Sequence, residues 1–212
     1  MPQQDRAHAT REAILRAAAE EFDRLGYERT SLTAVLTRAG LTKGAFYFHF
    51  ASKEAVAAAL VERQDELWAE VRQAWRIRGV DPLSALHGMF LESADRMAAD
   101  VVLRAGVRLN AEREIGYPGV PNTHMMWEKL IGTYLVEARE RGHLLPGVDP
   151  EAVARTLCSA ALGARLISSA TTSCADFPDR LREVLRHVLP CVVPAGWKLS
   201  GSHNAPEEVI GP

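Results

Sequence analysis

Apolar residues recur at helical spacing along most of the chain, and no stretch alternates as a strand would. Ala13, Ile14, Ala17, Ala18 and Phe22 predict a first helix from about Thr10 to Leu25, closed by Gly26 as a left-handed cap. A second, Leu32 to Ala39, is followed across the turn Gly40-Leu41 by a short amphipathic segment, Thr42 to Phe50. Ser52 opens a fourth helix to about Arg76, with Glu54 in its first turn, where the helix dipole favours an anion. Val56, Ala59, Leu60, Leu67, Trp68, Val71 and Trp75 form its apolar stripe. Asp81-Pro82 and Asp149-Pro150 pair a cap with a first-turn proline and open the fifth and eighth helices. The sixth covers about Val102 to Glu112, before a breaker-rich loop, Glu114 to Asn122. The seventh carries Trp127, Leu130, Ile131, Tyr134 and Ala138 and stops near Gly142. The ninth starts at Asp176, carries Leu181, Val184, Leu185, Val188 and Leu189, and is kinked or ended by Pro190. This reads as an all-α fold. A three-helix head spans 1–53, a body of about six helices spans 54–194, and 195–212, rich in Gly, Ser, Pro and Asn, reads as a disordered tail.

The second helix, the tight turn and the Thr42–Phe50 segment have the layout of a helix-turn-helix, whose second helix enters the DNA major groove. Thr42 is a good N-cap, and Lys43 sits in the first turn, the end that reaches base edges and phosphates. Phe46, Phe48 and Phe50 are too many aromatics to leave in water, so some must pack on neighbouring helices. Lys43, Gly44, Tyr47 and His49 are left for the outer face, where Tyr47 and His49 can donate to phosphate oxygens. Lys53, at the edge of the fourth helix, is a further candidate phosphate contact.

These residues resemble the recognition helix of the TetR family of bacterial transcription regulators. Thr10 to Leu15 with Phe22 and Gly26-Tyr27, Ser31 to Val35, Ala39 to Gly44 and Phe50 to Glu54 resemble that family's flanking segments, over roughly residues 6 to 60. The resemblance implies a homodimer on a pseudo-palindromic operator, with the eighth and ninth helices of each subunit forming a four-helix interface. Small residues on the eighth (Ala154, Ala160, Ala161, Gly163, Ala164) and the Leu/Val stripe of the ninth fit that expectation, with Leu185 placed at the interface. It also implies a small-molecule sensor in the body. Gln64, on the apolar stripe of the fourth helix, and Trp127 are the candidate ligand-binding residues. Thr42 to Phe50 and Val102 to Leu109 further resemble the γ-butyrolactone receptor branch, which commonly has Leu where this chain has Phe46. A tryptophan at the position of Trp127 lies against the ligand in that branch. The implied ligand is a small hydrophobic γ-butyrolactone or butenolide. Pseudo-receptors and drug-sensing regulators, which answer to other compounds, share much of the pattern.

Composition is ordinary for a soluble globular protein, with 47% hydrophobic and 25% charged residues in 212. Residues 1–53 hold eight Lys/Arg against six Asp/Glu, and the remainder 17 against 21, so the head is slightly basic and the body acidic. No apolar run is long enough for a membrane span, and the polar start lacks a signal-peptide core, so a cytoplasmic protein is expected. Cys158, Cys174 and Cys191 lack zinc-ligand spacing and read as buried thiols. A di-iron helical-bundle enzyme would need two Glu-x-x-His motifs. The chain has one such spacing, Glu140 to His143, at the end of a helix, so neither enzyme nor cofactor nor metal is expected.

Overall fold

Residues 3–116 and 123–200 are described by the structure, a computed structural model of the chain. Among them are nine α-helices and no strand: α1 (Gln3–Leu25), α2 (Leu32–Ala39), α3 (Lys43–His49), α4 (Lys53–Ile77), α5 (Pro82–Ala99), α6 (Val101–Gly116), α7 (Thr123–Glu140), α8 (Pro150–Thr172) and α9 (Phe177–Val188). A short 3-10 turn, Leu189–Cys191, follows α9 at Pro190, whose ring cannot continue the helix.

Local chemistry sets most boundaries. Ser31, Thr42 and Ser52 each accept a backbone N–H three residues on, at 3.1, 3.2 and 3.3 Å, which satisfies one orphan donor per helix. Gly26 (φ +78°) and Gly40 (φ +66°) supply the left-handed turns that end α1 and α2. The start of α1 differs from expectation, lying seven residues before Thr10. Thr10 is not a cap there: its hydroxyl donates back to the Arg6 carbonyl at 2.9 Å, inside the helix. The first turns are exposed and carry no apolar periodicity, so the pattern begins only at Ile14. The helix α6 also outlasts its expected end, to Gly116. Residues 117–122 of the expected loop and 201–212 of the expected tail lie outside the described residues.

The chain divides into two compact units. The first holds α1, α2, α3, α4 up to Trp68, and α6. It is larger than a head ending at residue 53, because α6 packs along α1. Its core joins Ile14, Leu15, Ala18 and Phe22 to Val35, Leu36, Phe46, Phe50, Val56, Leu60, Ala105 and Leu109. A polar seam runs beside it. Arg104 pairs with Asp23 at 3.0 Å, Arg108 donates to the Asp23 carbonyl at 2.6 Å, and Glu112 accepts the Tyr27 N–H at 2.8 Å. At Gly106, α6 comes so close to α4 that an added Cβ would lie 2.6 Å from the Leu60 carbonyl oxygen.

The second unit holds α4 from Ala69, α5, α7, α8 and α9. Here α5 and α8 each pack on α7 and on α9. Trp75 of α4 lies over Gly88 of α5, where a Cβ would meet its ring at 2.0 Å, and its indole N–H donates to Glu92 at 2.8 Å. Residues 195–200 stay close to this unit: the Ser200 N–H donates to Ser84 Oγ at 2.7 Å, and its hydroxyl bonds Asp81. Leu185 corrects one expectation. It is 1% exposed within its own chain and belongs to the core with Leu181 and Leu189. The large apolar side chains that α8 leaves exposed are Leu166 and Ile167. Cys191 is exposed and Cys158 partly so; only Cys174 is the buried thiol that was expected of all three.

Candidate nucleic-acid interface

The two faces of α3 separate cleanly. Phe46 is fully buried and Phe50 nearly so, their rings 6.1 Å apart, and they fasten the helix to the first unit's core. The Arg11 guanidinium covers Phe50 at 5.1 Å from the other side. Thr42, Lys43, Gly44 and Tyr47 are exposed, and His49 is half-buried. Tyr47 is 54% exposed even though its ring meets Phe46 edge-on at 5.4 Å, so its base is held while its hydroxyl stays in solvent. Gly44 has only the Thr42 hydroxyl within 4 Å of where a Cβ would sit. Its lack of a side chain is therefore not required by the chain's own packing, and it leaves a flat spot on the exposed face.

Phe48 is the residue that sequence reasoning left unplaced. It is 79% exposed, more than any other large apolar side chain described, and stands edge-on to His49 at 5.0 Å. A phenylalanine in the middle of a seven-residue helix gives no sign in sequence of which way it points. Its only signal was that three aromatics could not all fit beneath one short helix.

Lys53 is engaged inward. Its ammonium donates to the carbonyls of Tyr27 and Thr30 at 2.9 and 3.0 Å and lies 4.0 Å from the Tyr27 ring centroid. It thereby ties the α1–α2 turn to the start of α4. Next to it, the Tyr27 hydroxyl donates to Glu54 at 2.6 Å, which together with Ser52 lowers the Glu54 carboxyl to about 2. Behind the interface, the nearly buried Glu21 receives Arg24 at 2.8 Å and Arg38 at 2.6 Å. Burial alone would raise its pKa, but the two guanidinium groups hold it below the usual carboxylate value. This ion pair fixes α2 to α1.

The two expected ligand residues fall in different units. Gln64 lies in the first, 1% exposed, on the part of α4 that α6 approaches at Gly106. Its Oε1 is buried without a hydrogen-bond partner, while its Nε2 donates to Asp65 at 3.3 Å. Trp127 is a half-buried residue of α7 in the second unit. Among the described residues no group of three or more His, Cys, Asp or Glu side chains could hold a metal ion. None of the described helices is long and apolar enough to cross a membrane.

Comparison with known proteins matches this geometry. Residues 14–60 match the model for bacterial regulatory proteins of the tetR family, and residues 82–194 that for a tetracyclin repressor-like C-terminal domain. The A-factor receptor protein of Streptomyces griseus is 35% identical over 196 residues, which is 92% of this chain and 68% of that protein. The structure of CprB from Streptomyces coelicolor in complex with its biological operator sequence superposes with a TM-score of 0.76 at 34% identity, covering 89% of this chain and 90% of that one. A γ-butyrolactone receptor described as ArpA-like superposes at 0.74 with 32% identity, covering the same shares. With a capped recognition helix at 43–49 and family models spanning head and body, the chain belongs to the tetR family of bacterial regulatory proteins.

Proposed function

We propose that the protein is a ligand-responsive transcriptional repressor that binds a pseudo-palindromic operator as a homodimer and is released by a small γ-butyrolactone-type signal. One observation carries the DNA half. The helix α3 is anchored by Phe46 and Phe50 and turns Thr42, Lys43, Gly44, Tyr47 and the edge of His49 to solvent, as a helix entering the major groove must. In this reading Thr42 and Tyr47 donate hydroxyls to phosphates. Lys43 reaches phosphate or a base edge, His49 supports the phosphate contacts, and Gly44 lets the backbone approach closely. Phe48 adds an apolar contact of the kind that suits a thymine methyl group. Lys53 acts chiefly by holding the α1–α2 turn, with its third N–H left for a phosphate. A cytoplasmic location is proposed because the operator lies there, and family membership makes the protein a regulator rather than an enzyme.

The signal half rests on the receptors it is similar to; Trp127 in the second unit is proposed to contact the ligand, and Gln64, within the first unit, is a separate candidate for such a contact. Dimerisation is proposed through α8 and α9, with Leu166 and Ile167 of α8 as the exposed apolar side chains that need cover. The helix α4 begins against the head at Ser52 and continues into the second unit, so it is a direct covalent link between reader and sensor. The ligand acts by binding one conformation of the dimer more tightly than the other, and the operator favours the opposite one. The test is Trp127→Ala. It should leave operator affinity close to that of the parent and remove lactone-triggered release. A Trp127→Ala protein that lets go of DNA at the parent's lactone concentrations would overturn the sensor assignment.

A further inference from the structure

Arg11 of α1 occupies a place where the helix pattern calls for an apolar side chain. It stands at helical spacing before Ile14, Leu15, Ala18 and Phe22, so it continues the stripe that α1 buries in the first unit's core. There the stripe reaches the end of the recognition helix. The Arg11 guanidinium lies 5.1 Å from the ring centroid of Phe50, the residue that closes α3. A leucine or methionine would cover that ring as well and carry no charge. The guanidinium is also uncommitted. The carboxylate it faces, Glu12 of its own helix, stands 3.6 Å away, too far for a hydrogen bond, and the two side chains are 43% and 38% exposed. A guanidinium held over an aromatic ring uses its π face, which leaves the N–H donors on its edge for another partner. Lys53, the cation that opens α4 just past this end of α3, already gives two of its donors to the Tyr27 and Thr30 carbonyls.

We infer that Arg11 binds a backbone phosphate of the operator beside the end of α3, so that α1 is part of the DNA interface and not only its support. This inference rests on the reading of α3 as the helix that enters the groove, and it adds a contact from a different helix. A guanidinium can offer two parallel N–H donors to the two non-bridging oxygens of a phosphodiester, a fork that lysine lacks. Phe50 is nearly buried and packs beside Phe46, so the ring under the guanidinium is itself fixed. Holding the fork in place before DNA arrives reduces the ordering cost of binding. The contact carries no sequence information. It sets the register of α3 in the groove from the end opposite Thr42 and Lys43.

The experiment uses the full chain and the duplex that the parent enriches from a random pool, with affinity measured over a series of salt concentrations. Arg11→Met keeps an apolar cover on Phe50 and removes the charge. It should bind about tenfold or more weakly at low salt, and its slope of log K against log salt should be shallower by about 0.9 for each phosphate released. Arg16→Met removes the same charge from an exposed position roughly 140° around α1 and should keep the parent's slope. Arg11→Lys should keep the slope yet bind more weakly, because the charge remains and the fork is gone. A methylphosphonate, which makes one phosphate neutral, should weaken the parent at one position in each half-site and leave Arg11→Met unaffected there. Equal slopes for Arg11→Met and Arg16→Met, or no phosphonate position that separates the parent from Arg11→Met, overturns the inference. If Arg11→Met does not fold, an Arg11→Lys protein that binds as tightly as the parent overturns it. If the parent enriches no repeat, the repressor reading falls, and the same slopes on a random duplex decide the place of Arg11.

Discussion

Gly106→Ala tests whether α6 is pressed against α4 as described. The new methyl carbon would stand 2.6 Å from the Leu60 carbonyl oxygen and 2.8 Å from Gln64 Cβ, closer than real Cβ contacts come. The oxygen belongs to helical backbone and the carbon to a buried side-chain root, so neither can turn aside. The helix α6 must back away, loosening Ala105 and Leu109 against the core. Overpacking of this kind costs about 1–3 kcal/mol, and the better helix propensity of alanine returns roughly 0.5–1 kcal/mol. Contacts under 3 Å on backbone and on a buried Cβ put the cost in the upper half of that range, so the net loss is about 1–2.5 kcal/mol and lowers the melting temperature of a chain this size by roughly 2–10 °C. Gly132→Ala in α7 is the matched control. Its added Cβ would meet only Ala154 Cβ at an ordinary 3.8 Å, so it should stabilise by roughly 0.5–1 kcal/mol. Thermal and urea unfolding of both variants, followed by circular dichroism at fixed protein concentration, reads the two signs. A Gly106→Ala protein as stable as the parent or more so would refute the close crossing, and with it the explanation for the burial of Gln64.

Tyr47→Phe and His49→Ala should each weaken operator binding by about 0.5–3 kcal/mol across all sequences while leaving the melting temperature unchanged, as anisotropy titrations would show. Lys53→Met should lower stability as well as affinity, because the carbonyls of Tyr27 and Thr30 lose their donor; a variant weakened in DNA binding alone would point to a pure phosphate contact. Glu21→Gln should cost about 1–3 kcal/mol through loss of charge on the bonds from Arg24 and Arg38. Because the folded pKa of Glu21 is depressed, its contribution is complete above its unfolded value of 4.5 and fades as pH falls through the folded one. The parent and Glu21→Gln stabilities should therefore converge in acid, and a constant gap down to the lowest pH measured would contradict the pairing. Leu166→Arg on the exposed face of α8 should dissociate the proposed dimer in sedimentation without unfolding the chain, whereas Leu185→Arg should unfold it, because Leu185 is core.

The parts of this fold that were legible in the sequence are those fixed by neighbours in the chain. Ser31, Thr42, Ser52, Gly26 and Gly40 act within three or four residues, so their chemistry names a boundary without knowledge of the rest. What escaped depends on distant partners. Arg104, Arg108 and Glu112 reach Asp23 and Tyr27 across more than 80 residues, and no local pattern announces that α6 joins the reading head. Leu185 shows the same limit, since a leucine stripe says that a face is covered and not by which chain. Lys53 looked like a surface cation because its acceptors are backbone carbonyls, which every residue offers and no sequence marks. Gln64 was legible as a polar residue on an apolar stripe, but that its Oε1 is buried without a partner required the fold.

Selection of bound duplexes from a random pool, repeated with a γ-butyrolactone present, tests the central claim most directly. The account predicts that the parent enriches an inverted repeat whose half-sites are spaced to suit two recognition helices on one face of the duplex, and that the lactone abolishes the enrichment. It further predicts that Tyr47→Phe recovers the same repeat more weakly, while changing Lys43 alters the bases preferred. Enrichment of no repeat, or of one that survives every lactone added, would contradict it.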